Sequence, residues 1–283
     1  MKLGISSYAY GWAVGAGRAA DASINALGWR EQAQALQAFD ENSLLDAARN
    51  FGFQLVQFGD HLPLHEFDAT RLQNLKSRAQ RENIELEIGA RGLTPEHLST
   101  YIELARELNA PILRFVIDGP GYHPSPDEVV SVIKDALPAL QHTTLGIENH
   151  DRFPARVLRE MVEEINSERV GICLDTANSL GAGEGIDEVV RELAPHTVNL
   201  HIKDFGVTRV PYLMGFVVEG RAAGQGMLNI PDVLQSLQPF GKCRSTVLET
   251  WVPPESDLKT TIEKEARWVE QSVEFLRGFN ENN

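Results

Sequence analysis

The sequence predicts an α/β protein: a single (β/α)8 barrel domain spanning residues 1–283. Three observations carry that expectation. Short apolar runs rich in Val, Ile and Leu, the pattern of strands buried on both faces, alternate with helical segments, about eight of each. The length of 283 residues suits such a barrel, which typically needs about 250. Four runs in the second half, LGIENH, VGICLDTAN, VNLHIKDF and STVLETW, each end near a residue that can bind a hard metal ion: Glu148, Asp175, His201 and Glu249. Their separations of 27 and 26 residues match one β/α unit each, and the last, 48, fits one unit plus a Gly-rich insertion.

The first strand covers residues 3–7 and delivers Tyr8 and Tyr10 above the barrel. Residues 11–27, rich in Gly, Ala and Ser without clean periodicity, read as a long loop or short lid. A helical stretch over 29–37 precedes the first main helix, 43–50, which Gly52 terminates. Strand 54–58 can turn Gln57 inward and is followed by a loop with His61 and His65, read as solvent-exposed with substrate contact as the alternative. A helix over 69–80 leads to strand 84–89, where Glu85 and Glu87 alternate. Inward acids are costly without a cation or an arginine such as Arg91 nearby, and Glu87 is the candidate for a supporting role behind the site.

Thr94 and Pro95 start the helix to Leu108 as cap and first-turn residue. Strand 112–117 carries Arg114, which in an apolar run must be paired or face an anion. Ser125 caps the helix Pro126–Leu140. Strand five brings Glu148 and His150 onto one face, and a helix over 154–167 follows. Strand six aligns Gly171, Cys173 and Asp175; Cys173 reads as a small core residue. After the helix Ile186–Leu193, strand seven puts Asn199, His201 and Lys203 on one face and Asp204 on the other. Residues 206–227 read as a second long loop, whose glycines around Arg221 suggest close approach to a ligand. A helix from 231 to 237, strand eight ending at Glu249, and a long helix over 258–279 complete the barrel before a polar NENN tail.

An acid at a strand end is usually a cap or loop hydrogen-bonder, and a lone His is usually a satisfied core residue. Four together on four neighbouring strands point to a cation, because charges are rarely buried in a barrel unpaired. Three carboxylates and one imidazole suit one divalent cation, Mn2+ first, with Mg2+, Co2+ or Zn2+ as alternatives. Such an ion, chelated by a ketone oxygen and the adjacent hydroxyl, stabilises an enediolate, and Glu148 and Glu249 could move protons on either side of it. Isomerisation or epimerisation of a small keto-sugar results. Loss of CO2 from a 3-oxo sugar acid reaches the same enediolate and additionally needs a cationic contact, for which Arg114, Arg91, Lys203 and Arg221 are available.

A formal net charge of -14 argues against nucleic acid or an anionic membrane as partner and favours a small polar, carbohydrate-type substrate. Two cysteines, Cys173 and Cys243, are too few for a disulfide framework, and no run of eighteen apolar residues occurs. The expectation is a soluble cytoplasmic chain. The oligomeric state stays open, a homo-oligomer included.

IENH, GICLDTAN, NLHIKDF and VLETW together resemble the xylose isomerase-like barrel superfamily, which holds sugar isomerases and epimerases, hydroxypyruvate isomerase, inosose dehydratase and apurinic endonuclease. The resemblance implies one Mn-type ion on Glu148, Asp175, His201 and Glu249, with the two glutamates moving protons and His150 and Arg221 touching substrate. Substrate contacts are also expected from Arg114, Gln57, Glu87 and Lys203. GISSYAYGW, PLHEF, EIGARG and FVIDGPG are similar to segments of 3-oxo-isoapionate decarboxylases. The endonuclease branch implies further His and Glu ligands on early strands and a basic groove, neither of which is evident; a non-catalytic metal-binding protein would have no use for both glutamates.

Overall fold

The structure, a computed structural model, describes residues 1–18, 21–212 and 214–280, except the side chains of 279 and 280. The tail 281–283 lies outside the described residues, as do positions 19, 20 and 213 within the two segments expected to be loops. Strands β1 (Lys2–Ser6), β2 (Leu55–Phe58), β3 (Glu85–Arg91), β4 (Ile112–Val116), β5 (Thr144–Glu148), β6 (Val170–Asp175) and β7 (Thr197–Ile202) run parallel, each hydrogen-bonded to the next. A separate hairpin, β8 (Asp204–Arg209) and β9 (Phe216–Arg221), follows. Strand β10 (Ser245–Leu248) then pairs with β7 on one side and β1 on the other, closing the eight-stranded barrel.

Three short helices, α1 (Gly11–Ala16), α2 (Ala22–Ala26) and α3 (Arg30–Gln34), follow β1. The outer ring is α4 (Glu41–Asn50), α5 (Ala69–Glu82), α6 (Pro95–Leu108), α7 (Pro126–Leu140), α8 (Ala155–Ile165), α9 (Ile186–Leu193), α10 (Ile230–Leu237) and α11 (Leu258–Asn280). Local chemistry sets several of their ends. Asp40 and Ser43 close one capping box and Ser125 and Glu128 another, while Asp68 and Thr94 accept from the backbone N–H of Arg71 and His97. Helices α5, α6 and α8 stop at Asn83, Asn109 and Asn166, all in the left-handed region that asparagine tolerates. Side-chain alternation puts Phe58, Ile88, Ile147 and Leu200 in the apolar layer under the helices. The opposite face of the strands points into the barrel and carries the polar residues described below.

Two expectations are corrected. Residues 11–27 hold α1 and α2 rather than one loop: Asp21 caps α2, and Glu265, some 250 positions away on α11, accepts from the backbone N–H of Trp12 and Ala13 at 2.8 and 3.1 Å. That cap comes from the other end of the chain, so no local pattern announces it. Residues 206–227 hold most of the β8–β9 hairpin, in register from Asp204 opposite Arg221 to Arg209 opposite Phe216. The buried Asp204 carboxylate accepts from the backbone N–H of Phe205, Gly224, Gly226 and Leu228 and so ties the segment after the hairpin to its base. At Gly220 a Cβ would lie 2.1 Å from the Trp251 carbonyl oxygen, so a side chain there cannot be accommodated without moving the hairpin.

Candidate metal and substrate site

The four candidate ligands converge at the carboxyl end of the barrel. Asp175 and His201 are direct partners in the register of β6 and β7, Glu148 is the last residue of β5, and Glu249 follows β10. All four are buried. His201 Nδ1 lies 3.3 Å from Glu249 Oε1 and 3.9 Å from both Asp175 Oδ2 and Glu148 Oε1. One ligand atom each from Asp175, His201 and Glu249 falls within 4.8 Å of the others, and the same holds for Glu148, Cys173 and His201.

Three of the four candidate ligands, His201, Asp175 and Glu148, are held by hydrogen bonds from neighbouring groups. Gln57 Oε1 can only accept, so the His201 Nε2–H donates to it, at 2.7 Å, and Nδ1 is left to face the carboxylates. The Gln57 amide donates to Glu87 Oε2 at 3.0 Å and Asn199 Oδ1 at 3.1 Å, which fixes which way it points. Burial, partly offset by hydrogen bonding from Ser245 and Gln57, pushes the Glu87 carboxyl up to about 7. Asp175 Oδ1 accepts from the backbone N–H of Ala177 and Asn178, both at 2.8 Å, and Glu148 Oε1 accepts from the Asn178 amide at 2.8 Å. Cys173 bonds to Asn199 and is a buried core thiol, as expected.

Two cations reach into the cluster. Lys203 Nζ sits 2.8 Å from Asp175 Oδ2 and 2.9 Å from Glu249 Oε2. Burial opposes its charge, but Asp175, Glu249 and Glu148 prevail and hold its pKa well above the ordinary lysine range. Arg114 Nε contacts Glu148 Oε2, and its Nη1 donates to Asp60 Oδ1 at 2.9 Å. Room for Arg114 comes from Gly89, its register neighbour on β3, where a Cβ would lie 3.0 Å from Arg114 Cδ.

The donor set fits a hard divalent cation. Among the described residues, His201 Nδ1, Asp175 Oδ2, Glu148 Oε2 and both oxygens of Glu249 are buried without a hydrogen-bond partner, with only the ion-pair contacts of Lys203 and Arg114 to offset them. Buried lone pairs of this kind are costly unless something positive meets them. Three carboxylates and one imidazole nitrogen are the ligands such an ion takes.

Of the other expected residues, Gln57 lies directly behind His201 and Glu87 behind Gln57, and Lys203 touches two of the candidate ligands. His150 lies just past β5, its Nε2 3.1 Å from Arg91 Nη2. With Asn178, Lys203, Val218 and Trp251 it lines a cavity of about 410 Å³ at the barrel mouth. Arg221 stays on its own hairpin, donating to the Gly220 carbonyl at 2.7 Å and the Thr208 hydroxyl at 3.2 Å. His61 departs from the exposed position expected of it: its ring packs 3.8 Å from that of Tyr8 and both ring nitrogens are buried, whereas His65 is exposed. Asp60 went unnoticed in the sequence, although it binds the Tyr8 hydroxyl at 3.0 Å as well as Arg114. Its place in the loop after β2 was the available signal.

A family profile described as xylose isomerase-like TIM barrel matches residues 45–278. The chain is 29% identical over 278 residues to the 3-oxo-isoapionate decarboxylase of Pectobacterium atrosepticum, covering 98% of this chain and 95% of that protein. In fold it is similar to D-psicose 3-epimerase from Clostridium cellulolyticum H10, seen with D-tagatose, with TM-score 0.68, 14% identity and coverage of 98% and 97% of the two chains. A xylose isomerase-like TIM barrel protein from Mycobacterium smegmatis in complex with magnesium superposes with TM-score 0.63 at 13% identity over 82% and 88% of the chains. Among the described residues no helix is long and apolar enough to cross a membrane. With the profile match spanning most of the chain and the closed eight-stranded barrel in place, this chain belongs to the xylose isomerase-like TIM barrel family.

Proposed function

We propose that this protein is a divalent-metal-dependent enzyme that converts a small keto-sugar derivative through an enediolate, and that its reaction is the decarboxylation of a 3-oxo sugar acid. The observation that carries the first part is the convergence of Glu148, Asp175, His201 and Glu249, with His201 Nδ1 and the Glu249 oxygens lacking hydrogen-bond partners. These four residues would hold one ion, Mn2+ or else Mg2+, Co2+ or Zn2+. A bound cation would supply Lewis-acid stabilisation of the negative charge that develops on the substrate oxygens.

The chain's own residues do the rest. The reacting end of the substrate lies beside Lys203, which together with His201 holds the Glu249 carboxyl in its charged form and offers an ammonium donor to a substrate oxygen. In decarboxylation the C–COO⁻ bond breaks, its electron pair moves into the adjacent carbonyl, and CO2 leaves. The carbon is then reprotonated by whichever of Glu148 and Glu249 faces it, after that carboxylate has taken a proton from solvent.

Epimerisation or isomerisation of a neutral ketose is the second reading and uses the same glutamates. It demands more of them, because one must first remove a weakly acidic C–H proton. Both carboxylates are ion-paired, Glu148 with Arg114 and Glu249 with Lys203; burial opposes the charge of Glu249, but His201, Lys203 and Arg114 hold its carboxyl well below the usual carboxylate range, which makes it a weak base. Decarboxylation begins without a base. The 29% identity to a decarboxylase over nearly the full length of both chains supports the same choice. Metal-loaded protein incubated in deuterated water with ketoses and with 3-oxo sugar acids separates the readings. CO2 release from the acids is expected; deuterium entering a ketose without gas evolution would establish the second reading instead.

A further inference from the structure

We propose that Arg91 is the seat for the substrate carboxylate, held ready at the rim of the barrel-mouth cavity by His150 and Asp60. The inference rests on the decarboxylase reading and names the residue that makes the site select an acid over a neutral sugar.

The cations around the mouth are not equally available. Arg114 is 3% exposed and committed to Glu148 and Asp60. Lys203 is 14% exposed and bridges Asp175 and Glu249. Arg221 donates within its own hairpin. Arg91, at the end of β3, is 36% exposed, with Nε 3.5 Å from Asp60 Oδ2, an anion that Arg114 already engages at 2.9 Å. Its Nη2 faces His150 Nε2 at 3.1 Å, and the other ring nitrogen, Nδ1, donates to Asp151 Oδ1 at 2.7 Å, which leaves Nε2 as an acceptor for the guanidinium. A neutral imidazole is a weaker partner for guanidinium than a carboxylate, which can take two parallel N–H bonds. An entering carboxylate therefore exchanges His150 for a stronger contact, and His150 lines the same cavity as Lys203.

Charge points the same way. Arg91, Arg114 and Lys203 stand against Asp60, Glu148, Asp175 and Glu249, so three cations meet four anions; Asp151, bonded to the His150 ring and 68% exposed, has its charge screened by solvent. A divalent cation in the ligand cluster would turn that single negative excess into a single positive one. One substrate carboxylate then closes the balance, and a neutral ketose does not.

The test is calorimetric titration of Mn2+-loaded protein with D-erythronate, a stable four-carbon sugar acid, and with erythritol, its uncharged polyol counterpart, for the native protein, Arg91→Gln and Arg91→Lys. The native protein is expected to prefer the acid. Arg91→Gln should lose acid affinity by on the order of tenfold to a hundredfold, the range of a charge-assisted hydrogen bond, with erythritol and Mn2+ affinities unchanged, and Arg91→Lys should recover part of the loss. Equal erythronate binding by native protein and Arg91→Gln, or no preference for the acid in the native protein, overturns the proposal. Loss of acid affinity in Arg91→Gln with no CO2 released from any 3-oxo acid would leave the seat standing and remove the decarboxylase reading alone.

Discussion

Gln57 and His201, on β2 and β7 and 144 residues apart in the chain, meet inside the barrel in a 2.7 Å hydrogen bond that decides which imidazole nitrogen faces the carboxylate cluster. Behind Gln57 the network runs on to Glu87, Asn199 and Ser245, all buried. The polar layer under the candidate metal site is thus placed to hold the His201 ring.

Replacing Gln57 by Leu removes the acceptor that holds the His201 ring and strands donors and acceptors on Glu87 and Asn199. Affinity for a divalent cation is expected to fall roughly 10- to 100-fold, the usual cost of losing a group that orients a ligand histidine. Isothermal titration with Mn2+ reads the loss directly. A Gln57→Leu variant that binds the ion like the native protein would break the link.

Glu148→Gln keeps the shape of the side chain and removes its charge and its proton-carrying capacity. Turnover is expected to drop by about 10²- to 10⁴-fold while the far-ultraviolet circular dichroism spectrum is retained. Unchanged activity would remove Glu148 from the mechanism.

The barrel and the convergence of the four candidate residues were legible in the sequence because both are written in local patterns. Apolar runs punctuated at one-unit spacing placed Glu148, Asp175, His201 and Glu249 on successive strands, and Thr94–Pro95 and Ser125–Pro126 marked helix starts at the residues where they occur. What escaped depends on partners far along the chain. Segment 11–27 looks like a loop because its first helix is capped by Glu265. The β8–β9 hairpin hides in a Gly-rich stretch because its anchor is one buried carboxylate, Asp204. His61 reads as exposed because only the folded chain brings Tyr8 over its ring.

Asp204→Asn should loosen the hairpin. An amide offers one acceptor oxygen where the carboxylate uses two to meet four backbone N–H groups. A loss of about 1–3 kcal/mol is expected, read as a lower denaturant midpoint, with faster hydrogen exchange at the amides of Gly224, Gly226 and Leu228. Unaltered exchange there would show that Asp204 does not anchor the segment.

Glu265 makes stability depend on pH. Burial pushes its carboxyl up to about 8, although the Trp12 and Ala13 N–H groups favour the charged form. The folded state therefore keeps this proton after the unfolded chain has lost it, so its contribution is fully present below the unfolded value of about 4.5 and declines as pH rises to about 8. Thermal midpoints measured from pH 5 to 9 should fall with rising pH, and Glu265→Gln should flatten that slope. A slope that persists in Glu265→Gln would assign it to other groups.

The convergence of four side chains from β5, β6, β7 and the end of β10 on one divalent cation is tested most directly by titrating metal-stripped protein with Mn2+, native and with Asp175→Asn or His201→Gln. One ion per chain is predicted for the native protein, with binding in each variant lost or weakened beyond the roughly 10- to 100-fold expected for Gln57→Leu. Native-like Mn2+ binding in both variants, or no binding by the native chain, would contradict it.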